Sequence, residues 1–112
     1  MTAFKRGDIV LVAFVFADES GSKLRPALIV SSSAYHRGRR EAIVGAITSN
    51  VNRRLAGDHI VSNWKEAGLL FPSVVTGILR TIQRAMVRRR LGVLGGTDLK
   101  AVEKQLRASL DL

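Results

Sequence analysis

The sequence of 112 residues contains no cysteine, which excludes disulfides, thiolate metal sites and cysteine nucleophiles. Its two histidines, His36 and His59, are far apart and match no metal-ligand spacing. The nine acidic residues are scattered along the chain, so the sequence does not indicate a carboxylate metal site either. We therefore expect the protein to need no metal and no cofactor.

Long apolar runs are also missing, since none approaches the ~20 residues that a membrane-spanning helix needs. The N-terminal segment reaches Asp8 before any long apolar run, unlike a signal peptide. The sequence has no Walker loop and no dinucleotide fingerprint, and the cluster of Gly92, Gly95 and Gly96 predicts a turn before the last helix. We expect a cytoplasmic protein without nucleotide-cofactor chemistry.

Positive charge is the strongest feature that is present. Eighteen Lys and Arg oppose nine Asp and Glu, which gives a net charge of +9. Apolar types make up 46% of the residues, enough for a core in one domain over residues 1–112. A compact basic domain attracts nucleic acid or another polyanion. Solubility, or an acidic protein partner, is the alternative explanation.

Short runs rich in β-branched and aromatic residues predict strands through the first two-thirds of the chain. The run over 8–16 is continuously apolar, which is typical of a strand covered on both faces. The second strand is predicted to begin at Pro26, because proline is tolerated at a first strand position. The predicted strands cover residues 8–16, 26–32, 42–48, 59–62 and 73–82, with polar basic loops at 33–41 and 49–58.

Helical signals come mainly from the last third of the chain. Trp64–Gly68 predicts one helical turn ended by glycine. Thr97 is the predicted N-cap of a final helix, with Asp98 in its first turn. Residues 84–90, which contain four arginines, are predicted to be helical. The final helix carries one apolar stripe of Leu99, Val102, Leu106 and Leu110. The order of elements predicts a mainly β, α+β protein, built as a small SH3-like curled β-barrel with a terminal helix.

Two short segments carry the candidate chemistry. In Gly21–Pro26 a flexible turn leads into a strand, and Pro26 biases Arg25 towards an extended backbone. In Ile47–Asn50 a strand ends in hydrogen-bonding side chains. If the two strands are neighbours, Arg25 and Thr48 can face one pocket, where a guanidinium fork and a hydroxyl suit phosphodiester chemistry without a metal. Arg25 could instead bind phosphate without cleavage, or pair with an acid at 18–19.

These segments resemble the MazF/PemK toxins of bacterial toxin–antitoxin systems, and the similarity extends over nearly the whole chain. The most specific part is Gly21–Val30, with its arginine–proline step. The supporting segments are Arg6–Val10, Ala46–Ser49, Trp64–Leu69, Pro72–Val75, Thr81–Ile82, Leu91–Leu94 and the final helix.

The resemblance implies a homodimeric barrel of the MazF/PemK/CcdB kind and a metal-independent endoribonuclease. Such an mRNA interferase cuts single-stranded RNA at short sequences and inhibits translation and growth. It also implies a cognate antitoxin with an acidic segment. It makes Arg25 and Thr48 catalytic, with Arg25 as phosphate binder and general acid or base, and Ser49 as the neighbouring candidate.

Other polar residues of these segments and loops are candidates for holding the RNA backbone, although a solvated basic rim is the alternative. The arginines of 84–90 are expected at the surface, Trp64 in the core, and both histidines in structural roles. The expected RNA-binding residues are Ser22, Lys23, Arg37, Arg39, Arg40, Asn50, Arg53 and Arg54.

Four departures from the family pattern leave the cleavage motif open: Ala13 and Val15 replace prolines, and Gly77 and Gln83 replace polar or acidic residues. Two other functions remain alternatives. One is a topoisomerase-poisoning toxin on the same barrel, against which the Arg25–Pro26 and Thr48–Ser49 pair argues. The other is a non-catalytic nucleic-acid-binding module, which would bind with a steep salt dependence and never cleave.

Overall fold

The computed structural model describes residues 3–15, 21–53 and 55–112. This part of the chain contains six strands and two α-helices, with a 3₁₀ turn over Arg84–Met86. Strand β1 is thus confirmed as far as Val15, whereas Phe16, the last residue of the predicted strand, lies outside the described residues. The elements are β1 (Asp8–Val15), β2 (Ser22–Ile29), α1 (Ser33–His36), β3 (Glu41–Thr48), β4 (His59–Ile60), β5 (Val74–Gln83), β6 (Val87–Val93) and α2 (Gly96–Leu110).

All six described strands form one antiparallel sheet in the order β4-β5-β3-β2-β1-β6. The predicted class, mainly β with a terminal helix, is confirmed. The sheet stays open, because β4 and β6 are its two edges and do not pair with each other. Strands β1, β2 and β3 lie in its middle, so the segments with candidate chemistry fall on central strands.

The sheet is packed on both faces, which explains the continuous apolar run of β1. Alternate residues of a strand point to opposite faces. Accordingly Ile9 joins one core cluster with Leu28 and Val102, whereas Val10 and Val12 join a second cluster. Helix α2 covers the first cluster through the predicted stripe. That stripe ends early, because Leu110 at the end of α2 is 53% exposed.

Strand β2 begins at Ser22, so the prediction that it starts at Pro26 was wrong. Pairing with β1 extends from Ile9↔Leu28 to Val15↔Ser22 and places Pro26 opposite Leu11. Pairing with β3 covers only Ala27–Ile29. Proline is tolerated inside this strand because Pro26 lies where β2 has a hydrogen-bonding neighbour on one side only.

The helix predicted over 84–90 was also wrong, since only Arg84–Met86 form a 3₁₀ turn and Val87–Val93 form β6. Strand β6 pairs with β1, with Leu11 opposite Arg89 and Val10 opposite Arg90. An edge strand can leave charged side chains in solvent, so this pairing overrides the weak local helix preference of the arginine run.

Smaller differences concern the turns. The predicted loop at 33–41 contains α1, which is capped by the Ser32 hydroxyl accepting from the Tyr35 N–H at 3.1 Å. Helix α2 begins with Gly95 as its N-cap instead of Thr97. The turn before Gly68 does end as predicted. Gly68 has φ 89°, and the N–H groups of Gly68 and Leu69 close a Schellman pair on Lys65 and Trp64.

Candidate anion-binding site

The sheet splits between its two central strands. Pairing of β2 with β3 ends at Ala27↔Ala46, whereas β2 continues along β1 to Ser22 and β3 continues along β5 to Thr48. The two strands therefore diverge on the N-terminal side of Ala27 in β2 and on the C-terminal side of Ala46 in β3. We call the resulting gap, lined by Arg25 and Thr48, the β2–β3 opening.

Arg25 and Thr48 line cavities on both faces of the sheet at this opening. The cavity on the first face has a volume of about 520 Å³ and is also lined by Leu69 of the first core cluster. The cavity on the other face is lined by Phe14 of the second cluster. The predicted meeting of Arg25 and Thr48 in one pocket is confirmed, and the parting of β2 from β3 is its physical cause.

The hydroxyl of Thr48 is oriented by the chain that follows it. Its Oγ1 accepts a hydrogen bond from the Asn50 N–H at 3.1 Å. With an oxygen lone pair used in this way, the hydroxyl proton remains available for an acceptor in the opening. Ser49 also lines the larger cavity. A hydroxyl and a guanidinium that face one cavity can hold a phosphate from two sides.

The guanidinium of Arg25 has no hydrogen bond or ion pair with any described residue. Arg25 is exposed and lies in the part of β2 that pairs with β1 on one side and has no paired strand on the other. The acids at 18–19, considered above as partners of Arg25, lie outside the described residues. An arginine without a committed partner can offer its full planar fork to an incoming anion.

A bulge in β5 shapes the floor of the second cavity. Between Gly45 and Ile47 the register shifts, so that three residues of β5 oppose Ala46 alone. The Thr76 hydroxyl donates to the Ala46 carbonyl at 2.8 Å and accepts from the Ile78 N–H at 3.2 Å. This bulge directs Ile78 and Arg80 towards the cavity that holds Arg25 and Thr48.

The structure does not bring all the predicted RNA-binding residues to this site. Arg37, Arg39 and Arg40 follow the end of β2 and precede β3, at the far end of both strands from Arg25. Arg39 lies over the Tyr35 ring, 3.9 Å from its centroid. They therefore do not border the opening within one chain.

The second basic loop is likewise partly committed to the fold. Arg53 forms an ion pair with Asp58 at 2.8 Å and lines a separate cavity near His59. Lys23 lies in β2 two residues before Arg25, and Asn50 lies two residues after Thr48, so both flank the opening. Arg54 and the side chain of Ser22 lie outside the described part of the chain.

Three lining residues were missed by sequence reasoning. Arg89 of β6 lines the larger cavity, although the arginines of 84–90 were expected at the surface away from the site. Leu70 and Phe71 line the same cavity and are 83% and 63% exposed. The sequence signal for Leu70 and Phe71 was the apolar run Leu69–Phe71, which is too short to form a core element and is followed directly by Pro72.

The histidines and Trp64 have the structural roles expected of them. His36 is buried, with Nε2 2.5 Å from the Ser31 hydroxyl and Nδ1 2.9 Å from the Phe4 carbonyl. Because a carbonyl only accepts, Nδ1 must carry a proton. Trp64 is partly buried and packs against the first core cluster.

His59 contacts Asp98 of α2, with Nε2 2.7 Å from Oδ1. Asp98 also accepts from the N–H groups of Ser62 and Asn63. Burial by itself raises the pKa of the Asp98 carboxyl, but these hydrogen bonds outweigh it and hold the pKa below its usual value. Asp98 thus ties the N-terminus of α2 to the segment after β4, beyond its predicted role at the helix dipole.

Among residues 3–15, 21–53 and 55–112, no three residues of the His, Cys, Asp and Glu types come together as a metal site. No helix among them has the length and apolar character needed to cross a membrane.

Solved structures with similar folds cover nearly the whole chain. A mycobacterial endoribonuclease in complex with its cognate antitoxin superimposes with a TM-score of 0.81 at 18% identity, over 98% of this chain and 97% of that chain. The MazF of a MazE–MazF complex from Deinococcus radiodurans gives 0.77 at 19% identity, over 100% and 99%. The Mycobacterium tuberculosis toxin MazF-mt6 gives 0.75 at 27% identity, over 94% and 97%.

These likenesses define the fold as that of the MazF-like toxins. The sequence itself gives the narrower assignment, since residues 5–110 match the family described as PemK-like, MazF-like toxin of type II toxin-antitoxin systems. The chain belongs to this family. The resemblance based on the arginine–proline and threonine–serine segments is thereby confirmed.

Proposed function

We propose that this MazF-like toxin is an endoribonuclease that cleaves single-stranded RNA at the β2–β3 opening without a metal. The observation that carries the proposal is that Arg25 and Thr48, from two diverging strands, line the same cavities, while the Arg25 guanidinium has no partner among the described residues and the Thr48 hydroxyl keeps its proton for a ligand. Membership of the toxin family supports it, as does the net charge of +9.

In the proposed reaction the 2′-hydroxyl of the RNA attacks the adjacent phosphorus. The new bond joins O2′ to phosphorus, and the bond from phosphorus to O5′ breaks. The 2′-hydroxyl loses its proton and the leaving O5′ gains one. The products are a 2′,3′-cyclic phosphate and a 5′-hydroxyl. Because nucleophile and phosphate belong to one molecule, fixing their orientation supplies a large part of the rate.

Within this reaction Arg25 binds two non-bridging phosphate oxygens through its planar fork and stabilises the charge that grows on them. The Thr48 hydroxyl donates to the same phosphate, since the Asn50 N–H already fixes its oxygen. Ser49 lines the same cavity and offers a second hydroxyl that can donate to the phosphate. The guanidinium has five N–H donors and no acceptor, so Arg25 is suited to stabilising charge on the phosphate and not to removing a proton.

Lys23 and Asn50 are the proposed backbone-holding residues nearest to the cleavage position, because they flank Arg25 and Thr48 in sequence. We further propose that the protein acts as a homodimer and that a cognate antitoxin with an acidic segment competes for the same basic surface. The solved relatives in complex with antitoxins support this partner.

Incubating the purified protein with a long single-stranded RNA, with and without EDTA, tests the activity. We expect cutting at a defined short sequence in both conditions. Arg25→Ala should reduce the cleavage rate about 10²–10³-fold, in line with the loss of one donor to a developing anion, and Thr48→Ala should reduce it by a smaller factor. Arg88→Ala is the matched control, since Arg88 is an exposed arginine whose hydrogen bond, among the described residues, goes to the nearby Ala85 carbonyl.

Failure of the wild-type protein to cut any RNA would contradict the proposal and favour a topoisomerase poison or a pure binding module. Steep salt-dependent RNA binding without cutting would identify the binding module. If the protein cuts but the Arg25→Ala, Thr48→Ala double variant cuts equally fast, the site assignment is wrong.

A further inference from the structure

The arginines around β6 differ sharply in what they contact. Arg84 donates to the carbonyls of His36 and Arg39. Arg88 donates to the Ala85 carbonyl at 3.1 Å, and Arg90 donates to the Asp8 carboxylate at 2.9 Å. Arg89 has no hydrogen bond, ion pair or ring contact with a described residue. Among the arginines of this group, it is therefore the one that no described residue contacts in these ways.

The sheet register places Arg89 on the face of the sheet that carries the first core cluster. Leu11 of β1 lies opposite Arg89 on one side and opposite Pro26 on the other. Residues opposite each other across paired strands point to the same face, so Arg89 and Pro26 lie on one face with a single strand between them. Arg89 accordingly lines the 520 Å³ cavity that contains Arg25, Thr48 and Ser49.

The distance between the two arginines indicates which group Arg89 contacts. Strands lie about 4.8 Å apart, so the backbones of β6 and β2 are separated by ~10 Å across β1. Thr48 approaches Arg25 from the opposite side, from β3. Arg25 lies opposite Val12 of the second core cluster, so its position in β2 directs it to the face opposite to that of Arg89, although both residues line the 520 Å³ cavity at the opening. Arg25 and Thr48 can thus share one phosphate, whereas Arg89, two strands away from Arg25, reaches a different one.

We propose that Arg89 is a second phosphate-binding residue, which holds the phosphodiester next to the one cleaved. This inference rests on the proposed function, because it assigns the substrate's neighbouring phosphate to a residue of the same cavity. Arg89 fixes the RNA strand in place, and Arg25 and Thr48 act on the reacting phosphate. The substrate class is then single-stranded RNA with at least one further phosphodiester beside the cut.

Binding of a mixed-sequence, fluorescently labelled 2′-O-methyl RNA tests the proposal without cleavage, since that RNA lacks the 2′-hydroxyl nucleophile. We expect Arg89→Gln to weaken binding about tenfold and to lower the slope of log K against log salt by about 0.7, the value for one lost contact to a single strand. Arg89→Lys should keep the slope, because it keeps the charge. Arg88→Gln, the adjacent exposed arginine, should match the wild type in both measurements.

Cleavage kinetics provide the second readout. Arg89→Gln should raise KM with kcat changed less than about twofold, as expected for a contact made equally in the ground and transition states. A fall in kcat with unchanged binding would overturn the proposal, since Arg89 would then act on the reacting phosphate. Binding and salt slope equal to those of Arg88→Gln would also overturn it.

In a last experiment, the binding of a polyglutamate peptide is measured in place of RNA binding. If Arg89→Gln weakens binding of the peptide but not of the RNA, Arg89 serves an acidic protein partner and the proposal is wrong. Failure of the cleavage function itself gives a different result, namely a wild-type protein that cuts no RNA. The 2′-O-methyl RNA measurement still decides the role of Arg89 in that case.

Discussion

The β2–β3 opening and the polar contacts that stabilise the fold around Arg84 and Asp98 use similar residues for different purposes. At the opening, Arg25 and Arg89 have no described partner and the Thr48 proton is available. At the stabilising contacts, Arg84 donates to two backbone carbonyls, and Asp98 accepts from His59 and two backbone N–H groups.

This comparison indicates that the residues that serve function and the residues that serve stability lie at different places in the molecule. A polar group with fixed partners contributes to folding and has little capacity left for a ligand, whereas an uncommitted cation contributes little to folding and binds anions. Substitutions at the opening should therefore change RNA cleavage and leave stability nearly intact. Substitutions of residues that hold the fold together should do the reverse, and the following variants measure that contrast.

The largest expected effect is at the crossing of Gly92 and Ala67. A Cβ built at Gly92 would lie 2.1 Å from the Ala67 carbonyl oxygen, so backbone would have to move. We expect Gly92→Ala to lower the free energy of unfolding by roughly 3 kcal/mol or more, the upper range for overpacking. Urea denaturation followed by circular dichroism measures this.

Gly96→Ala is the matched control, because nothing lies within 4 Å of its added Cβ at the start of α2. It should be neutral or stabilise by about 0.5 kcal/mol, since alanine restricts the unfolded chain. Equal stability of the two variants would show that the close backbone crossing does not exist.

The next effect concerns Asp98. Asp98→Asn should cost about 2 kcal/mol, because the amide cannot satisfy the three donors that the buried carboxylate accepts. The folded pKa lies below the unfolded one, so this stabilisation is fully present above the unfolded pKa, about 4, and is lost as pH falls through the folded pKa.

Denaturation curves between neutral and strongly acidic pH therefore check the sign. The wild type should lose stability towards low pH more steeply than Asp98→Asn, and the two should converge below the folded pKa. Parallel pH profiles of the two proteins would disprove the role of Asp98. RNA cleavage measured at neutral pH, where both proteins are folded, should differ little.

The smallest effects on stability are expected at two arginines, Arg84 and Arg25. Arg84→Ala removes two hydrogen bonds to the carbonyls of His36 and Arg39 and should cost about 1 kcal/mol. Arg25→Ala should shift stability by less than about 0.5 kcal/mol, as for most exposed substitutions. If Arg25→Ala destabilises as much as Arg84→Ala, the contrast between the two regions fails.

Much of the fold could be predicted because its signals are local. The apolar run of β1 indicates burial on both faces, and the glycine at 68 marks the end of its turn in the left-handed region. The wrong predictions concern segments whose conformation depends on pairing with strands that are distant in the sequence. Residues 87–93 became a strand because β1 provided an edge, and β2 gained four residues because β1 extends alongside them.

The candidate site divides in the same way. The arginine–proline and threonine–serine segments were visible because their chemistry lies within a few consecutive residues. Arg89, Leu70 and Phe71 were not, because strand order and the turn after Gly68 bring them to the same cavity. Conversely, Arg53 was expected at the RNA but is paired with Asp58 in the structure.

The sequence by itself determined the composition of the protein, its mainly β character, its family and the identity of Arg25 and Thr48 as the chemical candidates. These follow from residue types and short spacings, which carry their meaning locally. Only the tertiary structure decided which arginines remain available to an anion. Availability depends on whether a partner is present, and the pairing of β6 with β1 and the parting of β2 from β3 set the partners of each arginine.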